Sequence, residues 1–273
     1  MLILDGKKVA LEETEKLKHR VSLLKNKPKL GIIQVGNLSE SNKYINNKIN
    51  KANEIGIISE WIKYDKNISE NELLSEINNI KNNFDGLIVQ LPLPEHINKQ
   101  LILNSIDLDK DIDGLSEKNM NNFYNDIQPF FCPATARAIF LLLESYKINL
   151  NQNIMIIGES NLVGKPIKKL LSKFAKNIES RNKESGIVGS NLFDILVVAI
   201  GDPNFIKNKD VKQNSIIVDV GITITKNNEI LGDVDFNDVK DKVFAISPVP
   251  GGVGPLTVIC LLKNLIDKLE SVL

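Results

Sequence analysis

Tyr44-Ile-Asn-Asn-Lys48 sets a phenol and an amine four residues apart, on one face if the segment is helical. A lysine so placed is ordinarily solvated and chemically idle. Burial changes that. A desolvated ammonium loses its proton more readily, and the amine then works as acid or base near neutral pH. Gln90, in Gln90-Leu-Pro-Leu-Pro94, falls at the carboxyl end of a predicted parallel strand, where α/β folds place their ligands. Its neutral amide can hydrogen-bond a polar heterocycle or the lysine. Asp113 closes Asp109-Lys-Asp-Ile-Asp113 and precedes Gly114. The alternative is an acidic surface turn, which suits Asp109 better than Asp113.

A second set of residues points to a dinucleotide. Gly158-Glu-Ser-Asn-Leu-Val-Gly164-Lys-Pro166 follows one predicted strand and opens a helix. The first glycine permits a tight turn and the second a close helix–strand approach. The helix start then offers free N–H groups to a phosphate. The alternative is a merely tight strand–helix turn. An acidic residue about 20 positions further on accepts a ribose 2′-hydroxyl in NAD sites, whereas an arginine suits a 2′-phosphate. Here the chain reads Glu179-Ser-Arg181, which leans towards NADP, although Glu159 and Glu179 would repel the same phosphate. Ser247-Pro-Val-Pro250-Gly-Gly-Val-Gly254-Pro carries three prolines and three glycines directly after a strand, a backbone path shaped to lie against something.

The elements that must position these residues alternate. Predicted strands at 29–35, 60–64 and 86–90 are separated by helices at 41–55 and 70–82. That is the pattern of parallel βαβ units. A polar stretch without clear period, 117–126, marks a boundary between about 116 and 130. A connecting helix at 135–146 follows. Then come strands at 153–157, near 178, at 194–200, 215–220 and 243–246, with a helix at 166–174, and an apolar helix closes the chain at 256–273.

Composition narrows the function classes. The 273 residues carry 34 basic and 34 acidic side chains, and 42% are apolar. Length suggests two domains or one large α/β unit, since domains run roughly 100–200 residues. Balanced charge argues against a dedicated nucleic-acid binder. Two cysteines and two histidines leave little for a disulfide framework, a metal site or a histidine-based triad. No signal-peptide core and no apolar run near the ~20 residues of a membrane span are present, so a cytoplasmic protein is expected.

Taken in order, Tyr44-x-x-x-Lys48, 85–94, Lys110-Asp-Ile-Asp-Gly114, Gly158-x-Ser-x-x-Val-Gly-x-Pro166, Val218-Asp-Val-Gly-Ile222, Gly232-Asp-Val234 and 248–255 resemble the bifunctional methylenetetrahydrofolate dehydrogenase/methenyltetrahydrofolate cyclohydrolase family. The resemblance runs from Asp5-Gly6-Lys7 to the last helix. It implies two α/β domains with a folate cleft between them. Residues 1–125 would form the folate-binding catalytic domain, with the helix at about 256–273 packing back towards it. Residues 126–255 would form a Rossmann-type NAD(P)-binding domain.

The resemblance also implies an NADP-dependent oxidation of 5,10-methylenetetrahydrofolate and hydrolysis of the methenyl product to 10-formyltetrahydrofolate. This is a step of one-carbon metabolism and purine biosynthesis, performed by homodimers without a metal. Carried over residue by residue, Lys48 is the acid/base of the hydrolysis, with Gln90 assisting. Tyr44 stacks on the folate and Asp113 binds the pterin edge. Pro250, Gly251 and Gly252 line the folate site. Gly158, Glu159, Ser160 and Ile222 hold the cofactor, with Arg181 at the 2′-phosphate and NAD as the alternative cofactor. Ala136 and Ala138 stand where the family has proline and glycine, and both favour a helix. Two other readings stay open: a dehydrogenase without the hydrolase step, and a non-catalytic folate or nucleotide sensor.

Overall fold

The structure, a computed structural model, describes residues 1–185, 187–225, 227 and 229–271. In chain order the elements are β1 (Leu2–Ile3), α1 (Gly6–Leu23), β2 (Lys29–Val35), α2 (Ser39–Ile55), β3 (Ile58–Tyr64), α3 (Glu70–Ile80), β4 (Gly86–Val89), α4 (Lys99–Asn104) and α5 (Glu117–Asn125). They continue with α6 (Ala134–Ser145), β5 (Asn153–Ile157), α7 (Gly164–Leu171), β6 (Asn177–Arg181), β7 (Ile195–Val198) and β8 (Ile216–Asp219). The last are β9 (Thr223–Ile224), β10 (Ile230–Leu231), α8 (Phe236–Val239), β11 (Ala245–Ile246) and α9 (Val253–Glu270). The expected final helix ran to 273, and its last two positions lie outside the described residues.

Two compact units divide the chain: Glu12–Ala134 with Val258–Leu273, and Met1–Leu11 with Thr135–Thr257. The first is built on a three-stranded parallel sheet in the order β3-β2-β4, with Ile33 opposite both Ile62 and Val89. Central β2 is buried from Leu30 onward and β4 throughout, as strands covered on both faces must be. Leu73 and Ile77, one turn apart on α3, pack with Ile33, Leu87 and Ile102 in one apolar core. Ser69 and Glu72 cap that helix reciprocally, so its start is fixed by local chemistry.

The second unit carries a six-stranded sheet in the order β1-β11-β8-β7-β5-β6, parallel at every pairing. β6 lies on one side of β5 and β7 on the other, so strand order reverses at β5, and ligands of such sheets bind beyond the carboxyl ends at that reversal. Met155, Leu196, Ile217 and Ile246 line its core.

Two expectations need correction. Residues 117–126 are not an irregular boundary: Glu117–Asn125 fold as α5, with the Ser116 hydroxyl accepting from Asn119 N–H at the helix start, and the two units divide later, between Ala134 and Thr135. The buried positions of that helix are Asn119 and Phe123, so an amide occupies one of the two inward sites and hides the apolar period. Nor do residues 1–11 fold with the stretch up to 125. Leu2 and Ile3 pair in parallel with Ala245 and Ile246, which assigns the amino-terminal segment to the six-stranded unit. The strand expected at 243–246 is correspondingly only Ala245–Ile246. A two-residue strand has no readable alternation.

Candidate active site

In the three-stranded unit, α2 buries Ser41, Ile45, Ala52 and Ile55 along one stripe. Lys48 is half-buried beside that stripe, while Tyr44, one turn earlier, is 46% exposed. The Lys48 ammonium donates to Gln90 Oε1 at 3.0 Å. Gln90 in turn donates its Nε2 to the Leu91 carbonyl at 2.7 Å, which fixes the amide with its oxygen towards the lysine. The Gln90 backbone N–H reaches Ile33 O at 2.8 Å, anchoring the residue at the carboxyl end of β4.

Charge and burial oppose each other at this centre. Burial pushes the Lys48 ammonium below its ordinary value, and the nearby Asp113 carboxylate partly restores it. Burial pushes Asp113 up, and Lys48 partly restrains it. An amine pushed down and a carboxyl pushed up in one desolvated place are brought closer in proton affinity than either is on an open surface, which suits the amine to acid–base work.

The Asp113 backbone is clamped on both sides by residues whose types and spacing point to no role. Asp111, buried, accepts from the N–H groups of Gly114, Leu115 and Ser116 at 3.1, 3.2 and 2.8 Å. Burial still pushes its carboxyl up to about 6, against those hydrogen bonds. Asn119 donates to the carbonyls of Gly114 and Phe131. Asn264, from α9, donates to the carbonyls of Ile112 and Cys132 at 2.8 and 2.9 Å. The one signal for Asn264 is an amide flanked by Leu261-Leu262 and Leu265-Ile266 on a largely apolar helix.

The six-stranded unit gathers the other expected residues. Gly158 has φ 118°, and a Cβ there would lie 2.1 Å from the Ala199 carbonyl oxygen. A Cβ on Gly164 would lie 1.8 Å from Gly158 O. Only glycine fits either place, so the turn and the start of α7 pack directly against the ends of the strands. The Ser160 hydroxyl accepts from Val163 N–H at 3.2 Å and shapes the turn. The Gly158 N–H donates to Arg181 O at 2.7 Å, bringing the end of β6 beside the turn. Arg181 Nη1 donates to Val188 O at 2.8 Å, and Nη2 lies 3.6 Å from Glu179. Glu159 is exposed and accepts from Ser180 Oγ at 2.7 Å. These features fit a dinucleotide: a tight glycine-bounded turn at a helix start, with a guanidinium beside it.

Ile222 is 47% exposed. Val249–Pro250 is cis, Gly251 accepts from Lys7 N–H at 3.1 Å, and Gly252 donates to Pro248 O at 2.7 Å. The loop at 248–252 therefore rests on the Asp5-Gly6-Lys7 segment. Two buried carboxylates organise the neighbouring loops. Asp233 accepts from the N–H groups of Ile200, Gly201 and Asp202. Asp219 accepts from those of Gly221, Asp233 and Val234. Burial and the adjacent Asp233 push Asp219 up to about 7. Both aspartates stand in the motifs at 218–222 and 232–234, and the sequence alone assigned them no task. Among the described residues no group of three or more His, Cys, Asp or Glu side chains could hold a metal ion.

Lys48, Gln90 and Asp113 thus meet in one unit, with Tyr44 on the same helix. Residues 158–160, 181, 222 and 250–252 all belong to the other unit.

Comparison with known proteins adds to this geometry. Residues 4–113 match the family model of the tetrahydrofolate dehydrogenase/cyclohydrolase catalytic domain, and residues 133–272 that of its NAD(P)-binding domain. The bifunctional protein FolD of Mycoplasma mobile is 51% identical over 100% of this chain and 99% of its own length. That of Mycoplasmopsis synoviae is 44% identical over 98% and 99%. Among solved structures, the bifunctional FolD enzyme of Campylobacter jejuni superposes with a TM-score of 0.96 at 36% identity, covering 100% of both chains. The Trypanosoma brucei enzyme, complexed with NADP cofactor and an inhibitor, gives 0.93 at 26% identity over 100% and 98%. With both halves matched in sequence and the whole chain in fold, the protein belongs to the tetrahydrofolate dehydrogenase/cyclohydrolase family.

Proposed function

We propose that the chain catalyses two successive steps of one-carbon metabolism at the residues described above. It oxidises 5,10-methylenetetrahydrofolate with NADP and hydrolyses the 5,10-methenyl product to 10-formyltetrahydrofolate. In the first step a hydride passes from the methylene carbon to the nicotinamide and leaves the methenyl cation. Such a transfer needs orientation more than a strong base. In the second, water adds to that carbon, and the carbon's bond to the ring nitrogen breaks.

The contact between Lys48 and Gln90 carries this reading. As the neutral amine, which burial favours, Lys48 takes a proton from the attacking water. As ammonium it returns a proton to the departing ring nitrogen, while the adduct's hydroxyl proton goes to solvent. Gln90 holds the amine in place through both states. Asp113 binds the polar pterin edge, and the exposed Tyr44 ring stacks on the folate. Pro250, Gly251 and Gly252 supply backbone groups to the substrate. Gly158, Ser160 and Ile222 bind the cofactor, Glu159 borders its ribose, and Arg181 meets its 2′-phosphate. The domain roles follow: the unit of Glu12–Ala134 and Val258–Leu273 serves the proton transfers and the pterin, and the unit of Met1–Leu11 and Thr135–Thr257 serves the cofactor.

The protein acts on tetrahydrofolate derivatives as a cytoplasmic homodimer, with no nucleic acid or membrane as partner. No helix among the described residues is long and apolar enough to cross a membrane, and the formal net charge is zero. Sedimentation of the purified protein tests the dimer. Absorbance tests the chemistry. NADP-dependent growth of the methenyl chromophore reports the first step, and its enzyme-accelerated loss the second. Purified protein that does neither with NADP or NAD removes the enzymatic reading.

A further inference from the structure

At the carboxyl ends of β5 and β6 a lysine, a hydroxyl and a carboxylate stand in a row. Lys168 Nζ donates to Ser180 Oγ at 2.8 Å, and Ser180 Oγ donates to Glu159 Oε1 at 2.7 Å. Glu159 directly follows the turn glycine, and Ser180 directly precedes Arg181, whose carbonyl accepts from that glycine. Lys168 is not a loop residue. It sits on α7 between the buried Ile167 and Leu171, so its origin is fixed by the packed face of that helix.

The charges around this point nearly cancel. Arg181 is shared with Glu179 and with the Val188 carbonyl. Glu159 presents a carboxylate where a 2′-phosphate would arrive. An unscreened carboxylate beside a doubly charged phosphate repels it and suits a 2′-hydroxyl instead. The ammonium has three donors and no acceptor, and it keeps its charge when it exchanges a hydroxyl for a phosphate oxygen.

We propose that Lys168, acting with Ser180, is the specificity-determining residue for the cofactor's 2′-phosphate: it offsets Glu159 and donates to the phosphate. The proposal rests on the reading of the β6 end as the adenosine ribose site. Lys168 sets how strongly the chain prefers NADP over NAD, and Glu159 works against it. Lys168 has no part in the reaction itself.

Equilibrium binding of NADP and of NAD to the purified full chain, by intrinsic fluorescence or calorimetry, tests this without turnover. Lys168→Met weakens NADP about tenfold or more and changes NAD less than about twofold. Lys168→Arg, which keeps the charge, retains most of the preference. Glu159→Gln tightens NADP, and added to Lys168→Met it recovers much of the loss. Equal loss of both cofactors in Lys168→Met, with an unaltered melting temperature, overturns the proposal, as does no loss at all. Should Lys168→Met melt early, Lys168→Arg with Glu159→Gln still decides the matter, since neither removes the helix's packing. Arg181→Ala separates the underlying reading: equal weakening of NADP and NAD there removes the ribose-site assignment, whatever Lys168 does.

Discussion

Lys48 Nζ and Gln90 Oε1 lie 3.0 Å apart, with the amide's nitrogen tied to the next carbonyl so that its oxygen cannot turn away. The lysine comes from the middle of a helix and the glutamine from the end of a strand, and burial has already weakened the lysine's hold on its proton. Lys48→Met keeps the bulk and removes the amine. Cyclohydrolase turnover should fall by about 100-fold or more, the scale of a lost acid–base group. Folate binding measured by equilibrium titration should survive. Near-normal ring opening in this variant would take Lys48 out of the chemistry.

The same burial predicts the shape of the pH profile. A base must be unprotonated to act, so the hydrolysis rate should rise with pH and level off below the ordinary lysine value of 10.5. Asp113→Asn removes the charge that partly supports the ammonium, so the rising limb should move to lower pH. A limb that stays fixed or moves up would mean that another group titrates. Stability follows the same sign: the unfolded chain holds this proton more tightly, so Lys48 adds stability as pH rises from its lowered pKa towards 10.5.

Asn264 is predicted to matter for folate and not for the cofactor. It ties the Ile112 carbonyl, immediately before Asp113, to α9. Asn264→Ala leaves two carbonyls without their donor, a cost of about 1–3 kcal/mol for each buried unpaired group. The KM for methylenetetrahydrofolate should rise severalfold while the Kd for NADP stays unchanged. Parallel loss of both would make Asn264 a residue of general stability alone.

Asp219 gives a stability prediction with a defined sign. Its carboxyl is raised from 3.8 to about 7, so the folded chain binds this proton more tightly than the unfolded one. The contribution is complete below about pH 4 and is lost as pH rises through about 7. Melting temperature should therefore decline from about pH 5 to about pH 8 in the wild type and decline less in Asp219→Asn. Equal slopes would place the titration elsewhere.

Much of the fold was legible because its strands obey a simple rule. β2, β4, β5, β7 and β8 are buried over most of their length and read as short apolar runs bounded by glycine, proline or aspartate. What stayed hidden was either too short or polar in the wrong place. β1 has two residues and gains its partner more than 240 positions away. α5 turns an asparagine inward to serve three backbone groups of neighbouring segments. At the site, Lys48, Gln90 and Asp113 could be named from residue type and spacing. Their supporters could not. Asp111, Asn119, Asp219, Asp233 and Asn264 bind backbone groups, and no pattern of side-chain types reveals where a distant carbonyl or N–H will need a partner. The ring of Asp219 and Asp233 shows the point, since each carboxylate gathers three N–H groups from loops that only folding brings together.

The pairing of Leu2–Ile3 with Ala245–Ile246 also decides how this polypeptide can be made. On the ribosome the first residues emerge with no strand to join, and their place in the sheet opens only when nearly all the rest has been translated. The other unit waits longer still, for Asn264 on the last helix. Neither unit is a contiguous stretch that could be cloned alone with one cut. Contacts of such long sequence separation slow folding, so nascent chains of this protein must spend most of their synthesis incomplete, and fragments ending near residue 125 or 250 should be ready substrates for cellular proteases.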